Sequence, residues 1–203
     1  LLHNHAFEVM GLNFVYNSSD KLLLSYTPYS TDKAVINANL LVAAALSKIG
    51  EHIKNEVFLK FADKIVSACI NIGFLESGGI PYNVYDDEKT IDTYHQLFSI
   101  RALYHIESVN INNSVKKYLD KAILYFEENL IDDNGRVFLS PYQNRLDLQA
   151  TSEALRVYKL VNNKRMYNKI YNKFIKDFSN MRNNLIQRVW LLDSKNIIKI
   201  KSR

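Results

Sequence analysis

The sequence predicts an all-α protein: a partial (α/α) toroid of about three helical hairpins, with apolar inner helices, amphipathic outer helices and short β-like loops between hairpins. Three observations predict it. The only three prolines each precede a tyrosine, at Pro28-Tyr29, Pro81-Tyr82 and Pro141-Tyr142, and each pair stands shortly before an apolar helical run. Their spacings of 53 and 60 residues mark an internal repeat. Runs that are apolar throughout alternate with runs that are apolar along one stripe, as an inner layer covered by an outer one requires.

Taken in order, Leu2 to Tyr16 reads as the tail of an amphipathic helix, with Phe7, Met10 and Phe14 on one face, stopping at the turn cluster Asn17-Ser18-Ser19-Asp20. In the following loop, Leu22 to Tyr26 is expected as a short strand and Asp32 as the N-cap of the first inner helix. That helix, Ala34 to Ile49, is apolar at nearly every position and is expected to be buried all round, with Gly50 ending it. Glu56 to Phe74 differs in kind. Phe58, Phe61, Ala62, Ile65, Cys69 and Ile72 form one stripe, opposite Lys60, Asp63, Lys64, Ser67 and Asn71, which makes it an outer helix.

The alternation repeats with an inner helix over Thr93 to Ile106 and an outer one over Ser114 to Leu130. After the turn Asp132-Asp133-Asn134-Gly135 it repeats again, with an inner helix over Leu148 to Val161 and an outer one from Arg165 to about Met181. The tail after Arg182, with Trp190 in a β-flavoured run, reads as the start of another inter-hairpin loop. The chain opens on LLHNHAFEVMGLNFVY as if inside a helix, so residues 1–203 are expected to be one toroid-type domain truncated at both ends. An incomplete ring should leave apolar edges on its terminal hairpins.

Composition narrows the function classes. An apolar share of 47% in 203 residues supplies one sizeable core, which excludes global disorder. The net charge of +5 comes largely from the tail after Arg156 and is not clustered, so no nucleic-acid partner is expected. Cys69, the single cysteine, lies in an apolar run and reads as a buried structural thiol, with no disulfide and no sign of an oxidising compartment. No apolar run is long enough to span a membrane and no signal peptide opens the chain, so a cytoplasmic location is expected. Phosphate-cradling glycine loops, paired cysteines, HExxH and nucleophile elbows are all missing, and no cofactor or metal is expected. The acidic cluster Asp86-Asp87-Glu88 lacks the spacing of a calcium loop and reads as a solvated turn.

In a toroid, the loops entering the inner helices gather at one end of the central hollow. The residues so gathered would be Tyr26, Tyr29, Asp32 and Asn37; then Tyr82, Tyr85, Asp92 and His95; then Tyr142, Arg145, Asp147 and Gln149. Carboxylates and an imidazole supply proton transfer, and tyrosines offer flat faces with hydroxyl rims that suit sugars. The candidate catalytic residues are Asp92, His95 and Asp147; the candidate substrate-binding residues are Tyr26, Tyr29, Asn37, Tyr82, Tyr85, Tyr142 and Arg145. A plainer reading stands beside this one, because each aspartate precedes a helix and can cap it. His95 can equally be a satisfied core histidine. Asn37 and Asn39 are buried amides that must face the hollow or bond backbone from the neighbouring helix.

The blocks LLLSYTPYSTDKAVINANLLVAAAL, GGIPYNVYDDEKTIDTYHQLFSIRAL and NGRVFLSPYQNRLDLQATSEAL resemble a group of bacterial helical-toroid proteins from surface-polysaccharide and glycosyltransferase clusters. These in turn resemble six-hairpin glycosidases and the helical domains of uronyl epimerases. The matching elements are Ser25 to Pro28 with Asn37 to Asn39, then Ile91, Asp92, Tyr94 and His95, then Asp147. The sequence departs at Gly78-Gly79-Ile80, at Gln96-Leu97-Phe98 and at Leu148-Gln149, expected to lie at the mouth of the hollow. The resemblance implies a carbohydrate-active protein of polysaccharide biosynthesis or modification, with a carbohydrate or activated sugar as ligand and glycosyltransferase machinery as a partner. Glycosidase-, lyase- and epimerase-like chemistry stay open, as does the alternative of a non-catalytic scaffold that binds glycan or a glycosyltransferase.

Overall fold

The computed structural model describes residues 13–27, 29, 33–83, 90–143 and 145–178, and the strands at 188–191 and 197–200. An antiparallel hairpin of β1 (Phe14–Asn17) and β2 (Leu22–Leu24) leads into α1 (Ile36–Ile53) and α2 (Glu56–Ala68), whose last turn widens into a π turn at Cys69–Gly73. A second hairpin follows in α3 (Thr93–Glu107) and α4 (Val115–Asn129), and a third in α5 (Leu148–Leu160) and α6 (Lys164–Phe178). Strand β3 (Arg145–Asp147) runs directly into α5 and pairs antiparallel with β4 (Arg188–Leu191), which pairs with β5 (Ile197–Ile200).

The inner layer is α1, α3 and α5. Helix α3 packs between the other two, and each inner helix packs on its own outer partner, α2, α4 or α6. Inner faces are buried through Leu40 and Ala43 of α1, Leu97, Ile100 and Leu103 of α3, and Ala150, Ala154 and Val157 of α5. Outer helices bury one stripe, for example Ala62, Ile65 and Val66 of α2 or Leu119, Ala122 and Phe126 of α4. This is the inner-and-outer arrangement of a partial (α/α) toroid, as the alternating patterns predict.

Each inter-hairpin loop docks on the entrance of the preceding inner helix. The Ile36 amide donates to the Tyr82 carbonyl at 3.1 Å and Val35 pairs with Asn83. One repeat on, the Thr93 amide donates to the Leu139 carbonyl at 2.9 Å and the Thr93 hydroxyl to the Phe138 carbonyl. Asp147, at the third entrance, pairs with Arg188 of β4. All three inner helices therefore start at one rim.

The repeat also extends to the turns. Gly78 donates to the Leu75 carbonyl while Leu75 donates to that of Gly79, and Gly135, Asp132 and Arg136 repeat this pattern. Both glycines are left-handed, at φ 94° and 88°, and stand against the backbone of Lys121 on α4 and Lys169 on α6. A Cβ at Gly135 would sit 2.7 Å from the Lys169 carbonyl oxygen, so these turns require glycine.

A polar residue four positions into the inner helix ties it to its own loop. Asn39 accepts from the Leu24 amide at 2.8 Å and donates to the Leu24 and Val35 carbonyls, both at 3.0 Å. Gln96 accepts from the Ile80 amide at 2.9 Å and donates to the Gly78 and Ala122 carbonyls at 3.1 and 2.9 Å. Asn39 thus bonds the backbone of its own entrance loop, neither facing the hollow nor bonding a neighbouring helix as expected, and the departure from the family pattern at Gln96 is a buried strut instead of a mouth residue.

Three further expectations need correction. Phe14 to Tyr16 are strand, not helix tail, because pairing with β2 outweighs an apolar spacing that also fits a helix. The N-cap of α1 is Val35, with no side-chain cap bond, three residues beyond Asp32. Helix α1 is not buried all round: Leu41, Ile49 and Ile53 are exposed, because its far side has no inner helix against it among the described residues.

Candidate functional site

Asp92 caps α3 and Asp147 caps α5, so both carboxylates stand at the common rim. Each does more than cap. Asp92 accepts from the His95 amide at 3.1 Å through Oδ1, while Oδ2 lies against the His95 imidazole Nδ1. The helix makes this pairing, because a cap and the third residue after it share a face. With Nδ1 held by the carboxylate, Nε2 is the nitrogen left to work as acid or base. The Tyr82 ring packs edge-on to the imidazole, centroids 4.4 Å apart at 65°, and walls it on one side. Both members of the pair keep about a quarter of their side-chain surface exposed, 23% for Asp92 and 26% for His95.

Asp147 is more deeply set. Its Oδ1 accepts from the Gln149 and Ala150 amides at 2.9 and 3.2 Å and from the Tyr94 hydroxyl. Its Oδ2 lies 3.8 Å from Nη2 of Arg145. Tyr94 therefore joins the two entrances: it rises from the turn that Asp92 caps and reaches the carboxylate that caps α5.

The expected residues divide as follows. Asp92, His95 and Tyr82 form one contact group, and Asp147 and Arg145 form a second, joined to the first through Tyr94. Asn37, on the first turn of α1, is half-buried and its Oδ1 is enclosed without a hydrogen-bond partner among the described residues. Tyr26 (53% exposed), Tyr29 (97%) and Tyr142 (90%) stand out in solvent with no hydrogen bond or ring contact to the dyad among the described residues. Tyr142 does act on Tyr125 of α4, whose phenol is pushed above its ordinary pKa by burial first and Tyr142 second. Tyr85 lies outside the described residues, as do Asp32 and the Asp86-Asp87-Glu88 cluster.

Sequence reasoning missed Tyr94 as a site residue, along with Arg101 and Glu153, which pair between α3 and α5. The available signal was a phenol on the first turn of one inner helix and two opposite charges on the two inner helices. Elsewhere, a cavity of about 500 Å³ opens between the end of α5 and the start of α6, lined by Tyr158, Lys159, Asn162, Lys164, Tyr167 and Asn168. It lies at the opposite end of the inner layer from the dyad. Among the described residues no cluster of His, Cys, Asp and Glu is arranged to hold a metal, and no helix is long and apolar enough to cross a membrane. Cys69 is fully buried, and burial pushes its thiol pKa far up, out of the range of a nucleophile.

Fold and rim together define the class: an (α/α) toroid, present as a partial ring whose described rim carries Tyr82, Asp92, Tyr94, His95 and Asp147. Comparison with solved structures bears out the fold. A cellobiose 2-epimerase from Bacillus thermoamylovorans B4167 superimposes with a TM-score of 0.67 over 96% of this chain and 58% of its own, at 16% identity. A D-mannose isomerase does so with 0.70 over 95% and 56%, at 9% identity. A β-1,3-1,4-glucanase from Paenibacillus sp. X4 gives 0.68 over 97% and 56%, at 10% identity. The chain spans a little over half the length of these structures. No protein-family model matches it, and no curated protein sequence does.

Proposed function

We propose that this chain is part of a carbohydrate-active protein of polysaccharide biosynthesis or modification, acting on a sugar by acid-base chemistry at the mouth of the hollow. The observation that carries the reading is the Asp92–His95 pair, oriented through Nδ1 and presenting Nε2 at a rim shared with Asp147 and Tyr94. Hydrolysis needs two carboxylates facing each other across a bond. Here one carboxylate orients an imidazole and the other is occupied by a tyrosine, which fits proton abstraction better. His95 Nε2 removes the proton from C2 of an open-chain aldose, and the electron pair moves through C1 to the carbonyl oxygen, giving an enediolate. Return of the proton to C2 from the other face epimerises the sugar; transfer of the O2 proton to O1 followed by return of the proton to C1 isomerises it to the ketose. Solved toroids of this fold include proteins described as an epimerase and an isomerase, which supports the class of reaction.

The test is solvent-deuterium incorporation. Reducing mono- and disaccharides incubated with the protein in D2O should gain one carbon-bound deuterium by mass spectrometry, at C2 on epimerisation or at C1 of a ketose on isomerisation, and the His95→Gln protein should give none. Release of reducing ends without deuterium, lost in Asp92→Asn, would replace proton abstraction with hydrolysis.

One observation favours a second reading. Both aspartates cap their helices, as a scaffold that binds glycan or a glycosyltransferase without catalysis would also require. Saccharide binding without any conversion would establish it.

A further inference from the structure

The walls beneath the rim carry charge that neither the dyad nor the caps use. Tyr94, Phe98, Arg101 and His105 recur at helical spacing along one face of α3, and Gln149, Glu153 and Arg156 along one face of α5. Those faces meet at two levels. At the rim Tyr94 reaches Asp147, and seven residues further along, about 10 Å down the axis, Arg101 Nε lies 2.9 Å from Oε1 of Glu153. Arg156 Nη1 lies 3.6 Å from the other oxygen of the same carboxylate. The Arg101 guanidinium stacks over Phe98, 5.4 Å from the ring centroid, which fixes its plane.

At this level two guanidiniums share one carboxylate, and one positive charge is left over. Glu153 is the buried member, at 8% side-chain exposure, while Arg101 keeps 25% and Arg156 63%. The cations are thus the groups that a ligand can reach. Burial first, then the Lys48 and Arg101 charges, hold the His105 imidazole below its ordinary pKa. His105 itself then adds little positive charge near neutral pH. Lys48 has a carboxylate of its own in Glu51, at 3.4 Å, but both are solvent-exposed and the pair is weak.

We infer that the saccharide bound at this mouth carries an anionic substituent, a carboxylate or a phosphate, which Arg101 and Arg156 receive below the rim. The planar guanidinium fork matches either oxyanion, and the surplus charge makes a neutral sugar the poorer ligand. This inference rests on the mouth being a saccharide site, as proposed above.

Titration calorimetry at low ionic strength tests it with three probes: trigalacturonate, a hexose 6-phosphate, and galactotriose as the neutral counterpart. At least one anionic probe should bind about tenfold more tightly than galactotriose, the effect of one charge-assisted contact. Which of them binds distinguishes carboxylate from phosphate. Arg156→Gln, a largely exposed change that leaves the core intact, should abolish the preference. Galactotriose binding as well as the anionic probes, or an undiminished preference in Arg156→Gln, would overturn this inference while leaving the saccharide site standing. Binding of none of the three would remove the site and the inference together.

Discussion

The Tyr94 hydroxyl on α3 donates to Asp147 Oδ1 on α5, so two inner helices are joined at the level where both begin. The bond makes one rim out of two helix entrances, and it ends on a carboxylate that already accepts two backbone amides. A hydrogen bond to a charged group contributes about 1.5 to 3 kcal/mol. Tyr94→Phe should lower stability by about 2 kcal/mol in urea unfolding while far-UV circular dichroism stays the same. An unchanged midpoint would mean that the pairing contributes nothing to joining the helices.

Gln96 is the strut behind the site. Its amide satisfies the Ile80 amide and the carbonyls of Gly78 and Ala122, all buried with it. Gln96→Leu keeps the volume, strands the Ile80 amide and the Gly78 carbonyl, and removes a second bond from the Ala122 carbonyl, each stranded group costing about 1 to 3 kcal/mol. We expect a loss of about 3 kcal/mol or more. Gln96→Glu should fail differently, because a carboxylate cannot donate to the two carbonyls unless it takes up a proton, and its loss should ease as pH falls.

The loop before the third entrance is pinned to α6 by Arg136 and Asp177, whose ion pair at 2.8 Å is nearly inaccessible, at 6% and 2% exposure. Asp177→Ala takes this carboxylate away from a buried guanidinium and should cost about 3 to 5 kcal/mol. The exposed pair Lys116–Asp120, 2.7 Å apart at 62% and 58% exposure, gives the contrast. Asp120→Ala should change stability by less than about 1 kcal/mol. Similar losses from the two variants would show that burial does not govern these pairs.

His105 sets a pH dependence of known sign. Its folded pKa lies below the ordinary value of 6.5, through burial and then the Lys48 and Arg101 charges. The unfolded chain therefore binds the proton more readily, and stability falls as pH drops below about 6.5. His105→Gln should flatten that fall between about pH 6.5 and 5 in parallel denaturation curves, with no change at pH 8. An equal slope in both proteins would contradict the assignment.

How far the sequence discloses this molecule depends on whether a feature is local. The inner and outer helices were legible because composition differs around the helix axis, as between Ala34 to Ile49 and Glu56 to Phe74. Asp92 and Asp147 were legible because a cap announces itself by position. His95 followed from being three residues beyond Asp92. The Tyr94–Asp147 and Arg101–Glu153 pairs were not legible, since both depend on how α3 and α5 rotate against each other. The strand at Phe14 was hidden for a similar reason: its partner, Leu24, lies across a turn, and the local spacing suits a helix equally well. The exposed edge at Leu41, Ile49 and Ile53 shows the same limit, because composition marks a face as apolar without saying what lies against it.

The most direct test of the central claim, that the dyad faces a saccharide at the common rim, is a crystal structure with a bound oligosaccharide. A sugar placing a carbon-bound proton or hydroxyl against His95 Nε2, with Tyr82 and Tyr94 beside the ring, is the predicted result. A sugar seated instead in the cavity between α5 and α6, against Tyr158, Lys159 and Tyr167, with the Asp92–His95 pair untouched, would contradict it.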